Sequence, residues 1–454
     1  MAELYEESKK DRTSVELFAG AGGLAMAVHG ADFRPLLFNE FAKRACETLA
    51  ANGAKPLPDG QAPVRAPKPG EQVPLFAGDV QDLEMDYLKG QVDILAGGPP
   101  CQPFSLGGVA KGDEDKRNMF PQMFKAVRQI QPKAVICENV RGLLRPSFKS
   151  YFDYILRELA LPFEERAEGA DWTQHDQYLQ TRLQQGDEHL QTRLQQDPEY
   201  LKKRYRVVMT PVNAADYGVP QIRNRVIIVA FRRDLDVDIE LFKSLVKPTH
   251  SEAALIRSMM DGGSYWERHP EVPTHVREWV QARLPKVAPK DDGLLPWYTL
   301  RDAIAGIGDN KPLPEVPDEW LDRTEHLLGG FTEHIGWPGA RIYDGHTPNE
   351  LDRPAKTVKA GVHGVPGGES VMLLDELVAD KAAQGGRRYK HRYMTVRETA
   401  RVMTFPDTWE LKGPRGEKMR QLGNAVPVVL GEVFAKAVAT VLDEAEKRQR
   451  AKDS

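Results

Sequence analysis

Cysteine is scarce: Cys46, Cys101 and Cys137 are the only three among 454 residues. An odd number at wide spacing excludes a disulfide framework and fits a reducing compartment. No spacing resembles a zinc site, so no metal is expected. A charge excess of either sign is also missing. Lys and Arg total 62 against 66 Asp and Glu, a net charge of -4, so a nucleic-acid partner would have to meet a local basic face rather than a basic protein. No apolar run is long enough to span a bilayer. The stretch from Met1 to Arg12 is charged and has no apolar core, unlike a signal peptide or anchor. The expectation is a cytoplasmic protein with no membrane partner. With 41% hydrophobic residues, the chain can bury a large core and form two domains.

The most informative stretch is Gly97-Gly98-Pro99-Pro100-Cys101-Gln102-Pro103-Phe104-Ser105. The apolar run Val92 to Ala96 before it reads as a buried parallel strand. Two glycines release the backbone and the proline pair fixes it extended, so Cys101 projects from a stiff loop just past a strand end. Open α/β sheets hold their ligands there. A thiol so placed is a candidate nucleophile if loop amides or a nearby cation lower its pKa. Taken alone, it also fits an inert cysteine beside a Pro-rich turn. Cys137 in an apolar strand and Cys46 on a predicted helix read as structural.

Ser14 to Phe18 predicts a strand that ends in Phe18-Ala19-Gly20-Ala21-Gly22-Gly23, with Leu24 opening a helix. A Gly-rich strand-to-helix turn lets a ligand approach the backbone at a helix N-terminus. The next strand, Leu36 to Phe38, closes on Asn39-Glu40. Glu40 lies about twenty residues past the first glycine, the offset at which nucleotide-binding units place an acid for ribose hydroxyls. The pattern is not GxGxxG, which favours a mononucleoside-like cofactor over a dinucleotide, and a purely structural turn stays open. Further strands are predicted near Leu75-Phe76, at Lys133 to Cys137 (followed by Glu138-Asn139-Val140), at Arg206 to Thr210 and at Arg225 to Phe231. Their alternation with helices implies a doubly wound, mostly parallel α/β sheet.

Two insertions interrupt this order. Ala54 to Pro74 is rich in Pro and Gly and reads as a surface insertion. Between 164 and 204, the run Leu179-Gln180-Thr181-Arg182-Leu183-Gln184-Gln185 recurs from Leu190 to Gln196. Its leucines share one helical stripe, which predicts a solvated helix ended by Pro198. Regular alternation is lost from Asp234 to Tyr389, which reads as a second, smaller, irregular domain. Helical patterns resume at Thr395 to Thr404 and Val426 to Ala445. The tail from Glu446 to Ser454 is a charge run read as frayed helix. The expected boundaries are 1-233, 234-389 and 390-454.

The blocks Phe18 to Gly23, Asn39-Glu40, Gly78-Asp79, Gly97 to Ser105, Glu138-Asn139-Val140, Gln221-Ile222-Arg223-Asn224-Arg225, Thr395 to Arg401 and Gly423-Asn424-Ala425-Val426-Pro427 occur in this order. In this the chain resembles the bacterial-type DNA (cytosine-5)-methyltransferases. The resemblance covers both ends and the first half of the chain, and the poorly matching interval falls where that family has its target-recognition domain. It implies S-adenosylmethionine as cofactor, a flipped cytosine in double-stranded DNA as substrate, and Cys101 as the nucleophile that adds to C6. It implies Glu138 at ring N3, Arg225 at the exocyclic oxygen and Arg223 beside it. The cofactor pocket would draw on Phe18, Ala19, Gly20, Gly22, Gly23 and Leu24, on Glu40 and Phe41, on Asp79, Val80 and Pro99, and on Asn424 and Ala425. Phosphate contacts are expected from Lys202, Lys203, Arg204 and Arg206, and from Arg387, Arg388, Lys390 and Arg392. A cognate restriction endonuclease is a potential partner. A tRNA cytosine-5 methyltransferase shares these blocks and is the alternative; the long interval before Thr395 favours DNA.

Overall fold

The computed structural model of the chain describes residues 12–58, 61–100, 118–188, 198–345, 347–360, 370–383 and 385–453. They belong to two compact units, one of Met1–Val212, Asn224–Val246 and Gly431–Ser454, the other of Asn213–Arg223 and Lys247–Leu430. Residues 213–223 and 390–430, which the sequence reading attached to the catalytic part, thus fall in the second unit. Their local packing explains this. Met394 and Val402 share a core cluster with Leu300, Ala303, Ala355 and Met372, and the Ile222 amide donates to Ala355 O at 2.8 Å.

The first unit is built on an eight-stranded sheet: β1 (Arg12–Leu17), β2 (Phe33–Glu40), β3 (Lys55–Pro56), β4 (Pro74–Ala77), β5 (Ile94–Gly97), β6 (Ala134–Val140), β7 (Tyr205–Asn213) and β8 (Asn224–Arg232). Their spatial order is β3-β4-β2-β1-β5-β6-β8-β7. Pairing is parallel from β3 to β6, and β8 runs antiparallel to β6. All six residues of β1 are buried, as expected of a strand covered on both faces. The helices α1 (Gly23–Gly30), α2 (Lys43–Ala51), α3 (Phe120–Ile130) and α4 (Lys149–Ala160) follow β1, β2, β5 and β6. Val15, Leu95, Met123, Val127, Val135 and Ile155 belong to one core cluster. Strand order reverses about β1 and β5, so the carboxyl ends of these strands border the crevice where such sheets take ligands.

Three expectations need correction. The Ala54–Pro74 insertion is not merely surface: it supplies β3, and Pro67 O accepts from Arg34 Nη1 at 2.9 Å. The Leu-Gln helix, α5 (Trp172–Glu188), is not merely solvated either. Leu179 is fully buried in the core, Leu183 packs against it, and Arg157 grips Asp176 through two bonds of 2.6 and 2.8 Å. Leu190 and Leu194 lie outside the described residues. The tail does not fray at Glu446: the last helix runs Val428–Asp453, and Glu446 is 3.0 Å from Lys133 and 3.3 Å from Arg12. The helical stretch Arg415–Lys452 also contains an 18-residue window of mean hydropathy 1.8, long and apolar enough to cross a membrane by length and composition, contrary to the sequence expectation. The window is 67% buried inside the fold, with Phe434, Val438 and Leu442 at 0–1% exposure, so its apolarity serves the core.

The second unit is built from short helices, a two-residue parallel pair, β9 (His250–Ser251) with β10 (Leu295–Pro296), and an antiparallel ribbon, β11 (Val371–Ala379) with β12 (Arg387–Tyr393). Tyr265, Trp266, Val276 and Trp297 form one of its cores. Two of its helices, Leu300–Ala305 and Val396–Val402, begin with reciprocal capping boxes, Thr299 with Asp302 and Thr395 with Glu398.

Candidate active site

In the first unit, the turn after β1 is strongly bent. Phe18, Gly20 and Gly22 have φ of 57°, 56° and 89°. A bulky residue such as Phe18 seldom adopts this region, and such outliers gather at ligand sites. The Glu40 carboxylate holds the turn in place: Oε2 accepts from the Gly20 amide at 2.7 Å, and Oε1 from the amides of Phe41 and Ala42 at 2.9 and 2.7 Å. Helix α1 then opens with Gly22 at its cap, no side-chain cap bond and no acid in its first turn, which leaves its N-terminus suited to a negative group. Beside Glu40, Phe41 is 76% exposed and offers a free aromatic face. Asp79 caps the short turn Val80–Asp82 by accepting from the Gln81 amide at 2.9 Å, and Val80 is buried.

The row Leu17, Gly97 and Cys137 is level across β1, β5 and β6. A side chain at Gly97 would come within 2.9 Å of Leu17 O, so glycine is required there. One residue further on β6, buried Glu138 points its Oε2 toward Gly98, where an added Cβ would be 3.7 Å away. Asn139 Nδ2 donates to Pro99 O at 3.0 Å, and the Met119 amide donates to Pro100 O at 3.1 Å. Residues 101–117, Cys101 included, lie outside the described residues. From β8, Arg225 Nε approaches Glu138 Oε1 to 2.7 Å. This is ion-pair contact without hydrogen-bond alignment, since Oε1 still lacks a donor. Arg225 Nη1 rests on Asn224 O at 2.7 Å.

The other two cysteines are unsuited to attack. Burial, and for Cys46 also the Glu40 charge, pushes both thiols up to about 12, so neither is a thiolate near neutrality.

A C-5 cytosine-specific DNA methylase model matches residues 12–161 and 188–440. The chain belongs to this family. It is 27% identical over 450 residues to the type II methyltransferase M.PspPI of a Psychrobacter species, covering 98% of this chain and 83% of that protein. It is 29% identical over 447 residues to M.Eco47II of Escherichia coli, with 96% and 81% covered. A prophage-encoded DNA modification methyltransferase from E. coli matches in fold at a TM-score of 0.50 and 17% identity, over 95% of this chain and 99% of that one.

Within the methylase, the first unit brings together Phe18 to Leu24, Glu40, Phe41, Asp79, Val80, Pro99, Glu138 and Arg225 at the carboxyl ends of the parallel strands and the facing end of β8. Arg223, Asn424 and Ala425 lie in the second unit. Arg223 does not lie on the strand of Arg225 as expected, because β8 begins only at Asn224. Its guanidinium is buried and donates to Val358 O, Gly423 O and Ala425 O at 3.1, 2.8 and 2.9 Å. It pins a backbone turn. Asn424 is exposed and ends the helix Arg415–Asn424.

Of the residues expected at phosphates, Lys203, Arg206 and Arg387 are exposed with no ion pair among the described residues, and the other five have partners within the protein. Arg204 is buried with its guanidinium 4.1 Å over the Tyr200 ring, and Lys202 pairs with Glu199. Arg388 pairs with Asp380, Lys390 with Asp318 and Glu376, and buried Arg392 with Glu398. One acid escaped the sequence reading. Glu16 on β1 is 3% exposed, and its Oε2 has no hydrogen-bond partner. Burial and then the nearby Glu40 charge push its carboxyl well above the ordinary range. It lies in a strand buried along its whole length, level with Phe38 and Ala96.

Proposed function

We propose that the chain methylates C5 of a cytosine extruded from a specific sequence in double-stranded DNA, using S-adenosylmethionine and a transient bond between Cys101 and C6. It would act in the cytoplasm, on nucleoid DNA. The observation that carries this reading is the Glu138–Arg225 pair near the end of β6, next to Asn139, which holds Pro99 two residues before Cys101. C5 of cytosine is a weak nucleophile, and thiolate addition at C6 makes it an enamine. Addition is easier when N3 receives a proton or a hydrogen bond, which Glu138 would supply. Arg225 orients that carboxyl and offers donors to the exocyclic oxygen. Extrusion costs a few kcal/mol, because a duplex hides both reacting carbons.

The residues around the β1 turn suit the cofactor. Glu40 Oε2 keeps one acceptor site for a ribose hydroxyl, exposed Phe41 can stack on adenine, and the open end of α1 favours a carboxylate. When bound there, S-adenosylmethionine supplies the electrophilic methyl group. Type II relatives make a companion restriction endonuclease the expected partner, with a solitary methylase as the other arrangement. Bisulfite sequencing of DNA from cells expressing the protein tests the activity and reads the target. Protected cytosines within one recurrent sequence are expected; uniformly converted DNA overturns the reading.

A further inference from the structure

In the second unit, two arginines that no described carboxylate pairs with share one aromatic ring. Arg323 lies 4.7 Å and Arg415 4.9 Å from the centroid of the same ring, that of Trp337. We propose that Arg323, Arg415 and Trp337 form a site for a backbone phosphate of duplex DNA; this rests on the reading of the chain as a DNA methylase.

Three observations carry the assignment. First, an aromatic face holds a guanidinium in position without neutralising it, which a carboxylate would do. Arg415 also lies 5.4 Å over the Tyr393 ring. Second, the donors are incompletely used. Arg415 Nη2 donates to Met394 O at 3.1 Å, whereas its Nε is buried with no hydrogen-bond partner. A guanidinium carries five donors, and two of them side by side match phosphate oxygens. Burial lowers Arg415 only to about 10, so it stays cationic at neutral pH.

Third, the segment that presents Trp337 is firmly built. The Arg323 amide donates to Gly336 O at 3.1 Å, and a side chain at Gly336 would come 2.4 Å from Trp320 O. His334 bridges Thr395 Oγ1 at 3.0 Å and Pro314 O at 2.8 Å. The neighbouring acids are occupied, Asp322 by His326 at 3.1 Å and Glu333 by Lys418. Arg323 itself is exposed, so a phosphate can reach the site.

The test is the salt dependence of duplex binding by the full chain, for target and unrelated sequences, with Arg323→Gln, Arg415→Lys, Trp337→Phe and Trp337→Leu. A lost phosphate contact flattens the slope of log affinity against log salt by about 0.9. Arg323→Gln should show that loss and weaken target and unrelated DNA by the same factor. Trp337→Phe should stay close to wild type, and Trp337→Leu should resemble Arg323→Gln. Arg415→Lys keeps the charge but loses the planar fork, so it should weaken affinity at an unchanged slope. An unchanged slope in Arg323→Gln, with melting temperature preserved, overturns the proposal. So does a loss confined to the target sequence, which would indicate base readout. A wild-type protein that binds no duplex at all overturns the functional reading instead.

Discussion

Arg225 and Glu138 are diagonal neighbours across the antiparallel pair β6–β8. Glu138 faces Ile227 in register, two residues from Arg225, and the side chains meet at 2.7 Å while only 10–12% exposed. Diagonal pairs on one sheet face are within reach of long side chains. The arrangement gives the acid a fixed direction and a counter-charge.

Glu138→Gln keeps a hydrogen-bonding amide but no transferable proton. Turnover should fall by about 10² to 10⁴-fold, the usual worth of general acid–base help. Duplex affinity should change far less, because backbone phosphates dominate it. Single-turnover measurements should show the loss already at the attack on C6. If attack runs at its normal rate and only methyl transfer slows, the proton role assigned to Glu138 is wrong.

Arg223 should behave differently from Arg225. Its truncation to alanine removes the donor shared by three carbonyls, and each orphaned buried acceptor costs about 1–3 kcal/mol. Arg223→Ala should therefore lower the melting temperature strongly, while Arg225→Ala should act mainly on turnover. Thermal melts run beside rate measurements separate the two, and equal melting temperatures with equal rate losses would contradict the division.

That division marks the limit of what the sequence made legible. The Gly-rich turn, Glu40, Asp79 and the strand-end position of Glu138 were readable because local spacing sets them, and a strand end is a strand end in any context. Arg223 misled because a period of two was carried one residue beyond the strand. In the basic runs at 202–206 and 387–392, carboxylate partners such as Glu164 for Arg204 and Glu398 for Arg392 were not legible because they depend on tertiary packing. The grouping of Arg323 and Arg415 about Trp337 joins residues far apart in sequence and leaves no periodic trace. Leu179 looked solvated because its helix is mostly polar, yet its stripe meets the core.

Glu398 makes acid sensitivity predictable. Burial alone would raise its carboxyl, but the Arg392 guanidinium outweighs burial and, with the Thr395 amide, holds it at about 2 against an ordinary 4.5. The folded value is the lower one, so this stabilisation is complete above about pH 4.5 and is lost as pH falls toward 2. It amounts to about 3 kcal/mol. Glu398→Gln should melt lower at pH 7, and its deficit against wild type should shrink between pH 4.5 and 2. A deficit that stays constant with pH would contradict the pairing as its source.

Covalent attack by Cys101 is tested most directly with a target duplex carrying 5-fluorocytosine, since fluorine at C5 cannot leave as a proton and the adduct persists. Wild-type protein incubated with this duplex and S-adenosylmethionine should form a denaturation-resistant complex whose peptide map places the DNA on Cys101. Cys101→Ser should form none, even though Cys46 and Cys137 remain, because both are buried thiols held up at about 12. A protein that methylates ordinary target DNA yet forms no adduct, or forms it equally well after Cys101→Ser, contradicts the mechanism.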